Sequence, residues 1–162
     1  FDALMRAGKP HGIALFGTYA MNALRLEKAY RGMGAELTNE ISMVEADMER
    51  FVDLTKDDFT GKAATLASKQ LGPRTKLVYL EVDATDADCL GNETVYRDGG
   101  AVGITTSGGY GFAVAKSLAF AYVEPKSAAP GTVLEIDILG ERRQARVLAG
   151  PVHDPENERV RA

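Results

Sequence analysis

The sequence has a single cysteine, Cys89, and only two histidines, His11 and His153, in 162 residues. One thiol can close no internal disulfide and build no thiolate metal cage, and two histidines are too few for a histidine-rich metal site. A solitary thiol fits a reducing compartment, so a cytoplasmic location is expected. No apolar run approaches the roughly 20 residues that a membrane-spanning helix requires. Positive charge is also scarce. The 19 Lys and Arg against 23 Asp and Glu give a formal net charge of −4, which disfavours a phosphate backbone as a ligand. Neither a nucleic acid nor a membrane is expected as a partner.

What is present is the composition of a packed domain. Apolar residues are 45% and charged residues 26%, which excludes disordered, collagen-like and coiled-coil chains. A chain of this length buries roughly 70% of its extended surface and needs no covalent staple. It opens on Phe1-Asp2-Ala3-Leu4-Met5-Arg6 with no start or cap signal, as expected of a boundary inside a longer protein.

The fold class that the pattern predicts is α+β: an α-rich N-terminal segment, residues 1–73, followed by a small antiparallel β-barrel, residues 74–162. Phe1, Leu4 and Met5 have helical spacing, and Lys9-Pro10-His11-Gly12 breaks it. A second helix is expected from Thr18, as N-cap, to Tyr30. Ala20, Ala23, Leu24, Leu26 and Tyr30 form its apolar face, Arg25, Glu27, Lys28 and Arg31 face solvent, and Gly32 and Gly34 end it. A third begins at Asp58-Phe59-Thr60-Gly61-Lys62, capped by Asp58 or Thr60, with Ala63, Leu66, Ala67 and Leu71 as its buried stripe and Gly72-Pro73 as its stop. Strands are expected at 76–82, 94–96, 101–106, 117–123, 132–139 and 144–148. Short hairpins at Arg97-Asp98-Gly99-Gly100 and Leu139-Gly140-Glu141-Arg142 join two of the pairs. Leu134, Ile136 and Ile138 alternate with Glu135 and Asp137, so that strand buries one face and wets the other. Short strands joined by glycine-rich turns suggest a closed or nearly closed barrel.

Few residues carry chemistry on their own. Ser107-Gly108-Gly109-Tyr110-Gly111 lacks the Lys-Ser/Thr pair directly after its last glycine that a phosphate loop needs, so it reads as a turn or a point of close backbone approach. Cys89 lies in the polar loop 83–92 without a histidine partner motif and reads as an incidental thiol. His11 and His153 fall in loops near proline and read as solvated. Asn92-Glu93-Thr94 matches a glycosylation acceptor that a cytoplasmic chain never uses. Asp57, Asp58, Asp83, Asp86 and Asp88 show no spacing that would pair two of them in an apolar site. Arg142, Arg143 and Arg146 suit a hairpin tip and a wet strand face as well as an anion. Arg159 and Arg161 have guanidinium forks suited to carboxylates, or form a solvated chain end.

Five spaced blocks go further. They are Gly17-Thr18-Tyr19-Ala20-Met21-Asn22-Ala23-Leu24-Arg25-Leu26-Glu27-Lys28-Ala29-Tyr30-Arg31 with Gly34-Ala35-Glu36-Leu37-Thr38, then Asp58–Lys62, Leu90–Glu93, Val102–Gly111 and Lys116–Val123. Together and in this order they resemble the folate-binding portion of the dimethylglycine and sarcosine dehydrogenases, relatives of the glycine-cleavage aminomethyltransferase, or T-protein. The resemblance implies an N-terminal FAD domain, outside this chain, that oxidises the N-methyl group of a small-molecule substrate to an iminium. A C-terminal half then passes the one-carbon unit to tetrahydrofolate, giving 5,10-methylenetetrahydrofolate. This chain would be the far C-terminal piece, completed by the N-terminal remainder of the same protein and inactive alone, with no catalytic residue of its own. T-proteins have an arginine at the position of Met21, and some of these dehydrogenases have an aromatic folate contact near Arg50. Both are departures here. A C-terminal arginine contacts folate in T-proteins, and Arg159 or Arg161 would match it. Tyr30 lies where an aromatic would face the pterin cavity, although its helical phase favours the core. Three other readings stay open: a plain T-protein, a demethylase of dimethylsulfoniopropionate, and a non-catalytic binding module.

Overall fold

The computed structural model describes residues 1–162, the side chain of Val160 excepted. Helices α1 (Asp2–Gly8), α2 (Thr18–Glu27) and α3 (Lys62–Leu71) precede six strands: β1 (Lys76–Val82), β2 (Thr94–Arg97), β3 (Gly100–Gly111), β4 (Lys116–Val123), β5 (Val133–Ile138) and β6 (Glu141–Val147). A four-residue helix, α4 (Glu158–Arg161), ends the chain. Among the described residues, no helix is long and apolar enough to cross a membrane.

All six strands pair antiparallel in the order β1-β4-β3-β2-β5-β6, and β6 returns to β1 through Leu80 opposite Val147, so the sheet closes into a barrel. Closure leaves no unpaired edge. Two hairpins close on residue pairs with positive φ, Asp98-Gly99 (51° and 79°) and Leu139-Gly140 (53° and 84°). This is the mirror-image turn whose twist matches that of the flanking strands.

The alternation of side chains sorts the apolar residues into two cores. Val78, Leu80, Val82, Ala119, Ala121, Val123, Leu134, Ile136 and Ile138 fill the barrel interior. The outer faces of β1 and β4 are apolar as well: Leu77, Tyr79, Leu118, Phe120 and Tyr122 pack against Leu26 and Ala29 from the helical segment. That is why β4 reads as an unbroken apolar run while β5 alternates, since one is covered on both sides and the other on one.

The glycine-rich stretch expected to turn is the second half of β3. Its glycines answer close approach from both sides. A Cβ on Gly108 would stand 2.6 Å from the Cβ of Cys89 inside the barrel, and one on Gly111 would stand 2.9 Å from the Glu27 Cγ outside it. The ladder between β3 and β4 shifts register between Thr105 and Ser107, so Thr106 is an extra, bulged residue. Thr105 therefore points inward, and Thr106 and Ser107 both turn to the outer face.

The helices depart further from expectation. Gly17, not Thr18, caps α2, and the helix stops at Glu27, because Ala29 takes φ 53° and turns the chain. Leu24 and Tyr30, expected in its buried face, are 57% and 51% exposed, whereas Glu27, expected in solvent, is buried. Gly61, not Asp58 or Thr60, caps α3. Neither α1 nor α3 buries any residue, so the stripe Ala63, Leu66, Ala67 and Leu71 has amphipathic spacing without a partner.

Candidate functional site

Two clefts open on the barrel surface. The larger, about 870 Å3, is lined by Glu81, Asp83, Asp86 and Asp88 on one side and by Tyr110 and Phe112 on the other. Most of its carboxylates are already engaged: Glu81 with Lys116 at 2.6 Å, Asp86 with Arg143 at 2.9 Å, and Asp88 accepting from the Ser117 hydroxyl at 2.6 Å. It holds no carboxylate dyad poised for proton transfer.

The smaller cleft, about 430 Å3, is formed where the chain leaves α2 and crosses the outer face of β1. Lys28, Tyr30, Arg31, Arg50 and Lys76 line it, with Asp47 as its one carboxylate; residues 147–151, Pro155 and Asn157 close the far side. Four cationic groups against one carboxylate make it a basic site on an acidic chain. Asp47 takes part of that charge, 3.1 Å from Arg31 and 3.6 Å from Lys76. Arg50 lies over the Phe51 ring at 4.8 Å and has no carboxylate partner among the described residues. Arg31 lies over Phe120 at 5.8 Å, and its Nε is buried without a hydrogen-bond partner. Burial, followed by the repulsion of Arg50, lowers its pKa against the pull of Asp47.

The wall carrying Tyr30 and Arg31 is held by a fully buried carboxylate. Glu36 accepts from Arg25 Nη1 at 2.8 Å and the Gly32 amide at 2.7 Å on one oxygen, and from the Thr106 and Ser107 hydroxyls at 2.7 and 2.5 Å on the other. The Tyr122 hydroxyl donates to its backbone carbonyl at 2.8 Å. A buried carboxylate is tolerable because every lone-pair direction meets a donor and one donor is cationic. The bulge at Thr106 supplies two of those donors from consecutive residues. Glu27, also buried, has a sparser set of donors. Its carboxylate accepts from the Ala113 amide at 2.6 Å, and its backbone carbonyl accepts from the His153 amide at 3.1 Å.

The far side of the cleft is strapped down through Asp154. Lys28 Nζ donates to the Asp154 carbonyl at 2.5 Å and lies 3.3 Å from its carboxylate, while the other carboxylate oxygen accepts from the Glu158 and Arg159 amides. Burial pushes the Asp154 pKa up, but these hydrogen bonds outweigh it and hold the group below its ordinary value.

Among the residues singled out in the sequence, Tyr30 stands half-exposed in the cleft wall rather than in the core. Arg159 and Arg161 are exposed on α4, just past Asn157, and line neither cleft. Lys28, Arg31 and Lys76 were not singled out as ligand residues. Their convergence joins positions almost fifty residues apart, and the only sequence signal near them is the Arg25-Leu26-Glu27-Lys28 block itself. Cys89 is fully buried, and burial, reinforced by Glu93 and Asp88, pushes its thiol up to about 12, which leaves it unreactive. Among the described residues, no three His, Cys, Asp or Glu side chains gather to hold a metal ion.

The architecture is thus a closed barrel with helix α2 packed on one outer wall and a basic cleft at the junction. Residues 75–154 match the glycine cleavage T-protein C-terminal barrel domain, and residues 1–56 match the GCVT N-terminal domain. The crystal structure of glycine cleavage system aminomethyltransferase T from Bartonella henselae superimposes with a TM-score of 0.84 at 25% identity, covering 95% of this chain and 44% of that one. The chain belongs to the glycine cleavage T-protein family. Within it, the chain is 44% identical over 153 residues to the mitochondrial dimethylglycine dehydrogenase of Homo sapiens, covering 94% of this chain and 18% of that protein. It is 34% identical over 154 residues to an aminomethyltransferase of Saccharopolyspora erythraea, covering 94% of this chain and 42% of that protein. The chain thus spans less than a fifth of the dehydrogenase and about two fifths of the transferase.

Proposed function

We propose that this chain is the C-terminal part of a flavin-dependent N-methylglycine dehydrogenase, acting on dimethylglycine or sarcosine, and that its basic cleft forms one wall of a tetrahydrofolate site. The observation that carries the reading is the 44% identity to a dimethylglycine dehydrogenase over nearly the whole chain, against 34% to an aminomethyltransferase. The cleft suits such a ligand in size and charge. Its volume is within the usual range for small-molecule sites, and Arg50, together with the Arg31 and Lys76 pair that shares the single carboxylate of Asp47, complements the glutamyl carboxylates of a folate. Tyr30 offers a half-exposed ring to the aromatic part of the ligand, and Arg159 and Arg161 extend the positive charge beyond Asn157. The orphaned Arg31 Nε is a donor in want of an acceptor.

Tetrahydrofolate, when bound, supplies the nucleophilic nitrogens that accept a one-carbon unit. The residues of this chain hold and orient it. The cations neutralise its carboxylates, and the wall 28–37 together with the strap at Asp154 limits access of water. No Gly-x-Gly-x-x-Gly follows a strand in this chain, and FAD is assigned to another part of the protein. The test is the product of the full-length protein acting on dimethylglycine with and without tetrahydrofolate. Free formaldehyde should fall when tetrahydrofolate is added, and equal formaldehyde in both reactions overturns the reading.

A further inference from the structure

The wall that carries Tyr30 and Arg31 into the cleft has no regular secondary structure. The chain leaves α2 through the positive φ of Ala29 and is then pinned at two points on either side of Arg31. Arg25 Nη1 donates to the Tyr30 carbonyl at 3.1 Å, and the Glu36 carboxylate accepts from the Gly32 amide at 2.7 Å. The same two side chains are joined at 2.8 Å, with Glu36 at 0% and Arg25 at 18% side-chain exposure. Arg25 Nε also donates to Asn22 Oδ1 at 2.9 Å, and Asn22 Nδ2 donates to the Gly108 carbonyl at 3.1 Å. Glu36 reaches the barrel independently through the Thr106 and Ser107 hydroxyls. The pair is therefore tied to strand β3, Glu36 directly and Arg25 through Asn22, and each member holds the cleft wall with its other contacts. Neither lines the cleft.

We propose that Arg25 and Glu36 are positioning residues for the ligand of the basic cleft: they transmit the fixed geometry of β3 to Tyr30 and Arg31 without touching the ligand. This rests on the folate reading of that cleft. A lysine at 25 would keep one charge beside Glu36 but has no planar fork to serve Asn22, Glu36 and Tyr30 together, so the exchange is not conservative here. Glutamine at 36 would keep the shape and remove the charge that holds Arg25.

The test uses the full-length protein with Arg25→Lys and Glu36→Gln. Thr106→Val, which removes one anchor of Glu36 and leaves Ser107, is the milder variant should either of the others fold poorly. Three quantities are read: amide hydrogen exchange at residues 29–33 against that of barrel strands β4 and β5, tetrahydrofolate affinity by equilibrium dialysis, and flavin reduction by dimethylglycine. The expected result is at least tenfold faster exchange at 29–33 with the barrel strands unchanged. Tetrahydrofolate affinity should weaken about tenfold, the effect of losing one charge-assisted hydrogen bond, and flavin reduction should keep its wild-type rate. Unchanged exchange at 29–33 overturns the proposal, and so does faster exchange with unchanged tetrahydrofolate affinity. Uniform acceleration across the barrel also overturns it, since the pair would then be purely a stability element. A wild-type protein that binds no tetrahydrofolate overturns the folate reading instead, and the exchange measurement still decides whether the pair orders the wall.

Discussion

Phe120→Ala separates the two cores. Phe120 is fully buried on the outer face of β4, 5.2 Å from the Tyr79 ring and 5.8 Å from the Arg31 guanidinium, in the cluster that seats α2 on the barrel. Truncating a buried phenylalanine costs about 3–5 kcal/mol from transfer and cavity terms. The lost aromatic pair adds about 0.5–1.5 kcal/mol. Because the partly exposed Arg31 can re-solvate, the cation–π contact adds no more than about 0.5 kcal/mol. The sum, roughly 3.5–7 kcal/mol, is a large share of the roughly 5–15 kcal/mol that holds a domain together. Its location matters more than its size. The loss falls on the interface that carries the cleft wall, whereas Leu134→Ala, in the barrel interior, should lower the protection of every strand together. Native-state hydrogen exchange distinguishes the two patterns, because it reads free energy locally. Phe120→Ala should release residues 26–37 well before β5 and β6. Equal loss of protection in both regions, or a cost below about 1.5 kcal/mol, would refute the two-core account.

Four further outcomes follow from particular positions. Gly103→Ala would place a Cβ 2.2 Å from the Tyr122 carbonyl oxygen, a backbone atom that cannot yield, and should cost about 3 kcal/mol or more in urea unfolding. Gly150→Ala meets nothing within 4 Å and should stay within about 0.5 kcal/mol of wild type. Cys89 should resist a thiol reagent at pH 8 in the folded protein and react at once in denaturant, as its pKa near 12 requires. Because hydrogen bonds hold Asp154 below its ordinary value of 3.8, its contribution to the strap is fully present above that value and lost as the pH falls below it. Proteolysis of the C-terminal segment should therefore accelerate below about pH 4 in wild type, and the Asp154→Asn variant should be cleaved at the fast rate above about pH 4 as well.

The barrel was legible in the sequence because its signals are local. Leu134, Ile136 and Ile138 alternate with acids, Asp98-Gly99 and Leu139-Gly140 fit mirror-image turns, and each strand announces itself within a few residues. The second half of β3 was not legible, since glycines needed for close approach look the same as glycines needed for a turn. Helix faces failed for a different reason. The apolar stripe of α3 has the right period but packs against nothing described here, and the burial of Glu27 and Glu36 depends on donors 70 to 86 residues away. A buried carboxylate and a solvated one are the same letter until those donors are in place. The cleft shares that limitation, because its cations come from three separate stretches of chain.

The bulge at Thr106 has a consequence for how this strand tolerates change in length. Deleting that one residue would give β3 a regular ladder with β4, with Thr105 still facing in and Ser107 still facing out, because they already pair with consecutive residues of β4. What the deletion would remove is the Thr106 hydroxyl from the buried Glu36 carboxylate, leaving Ser107 as the only donor to that oxygen, so the more regular strand would be the less well satisfied one.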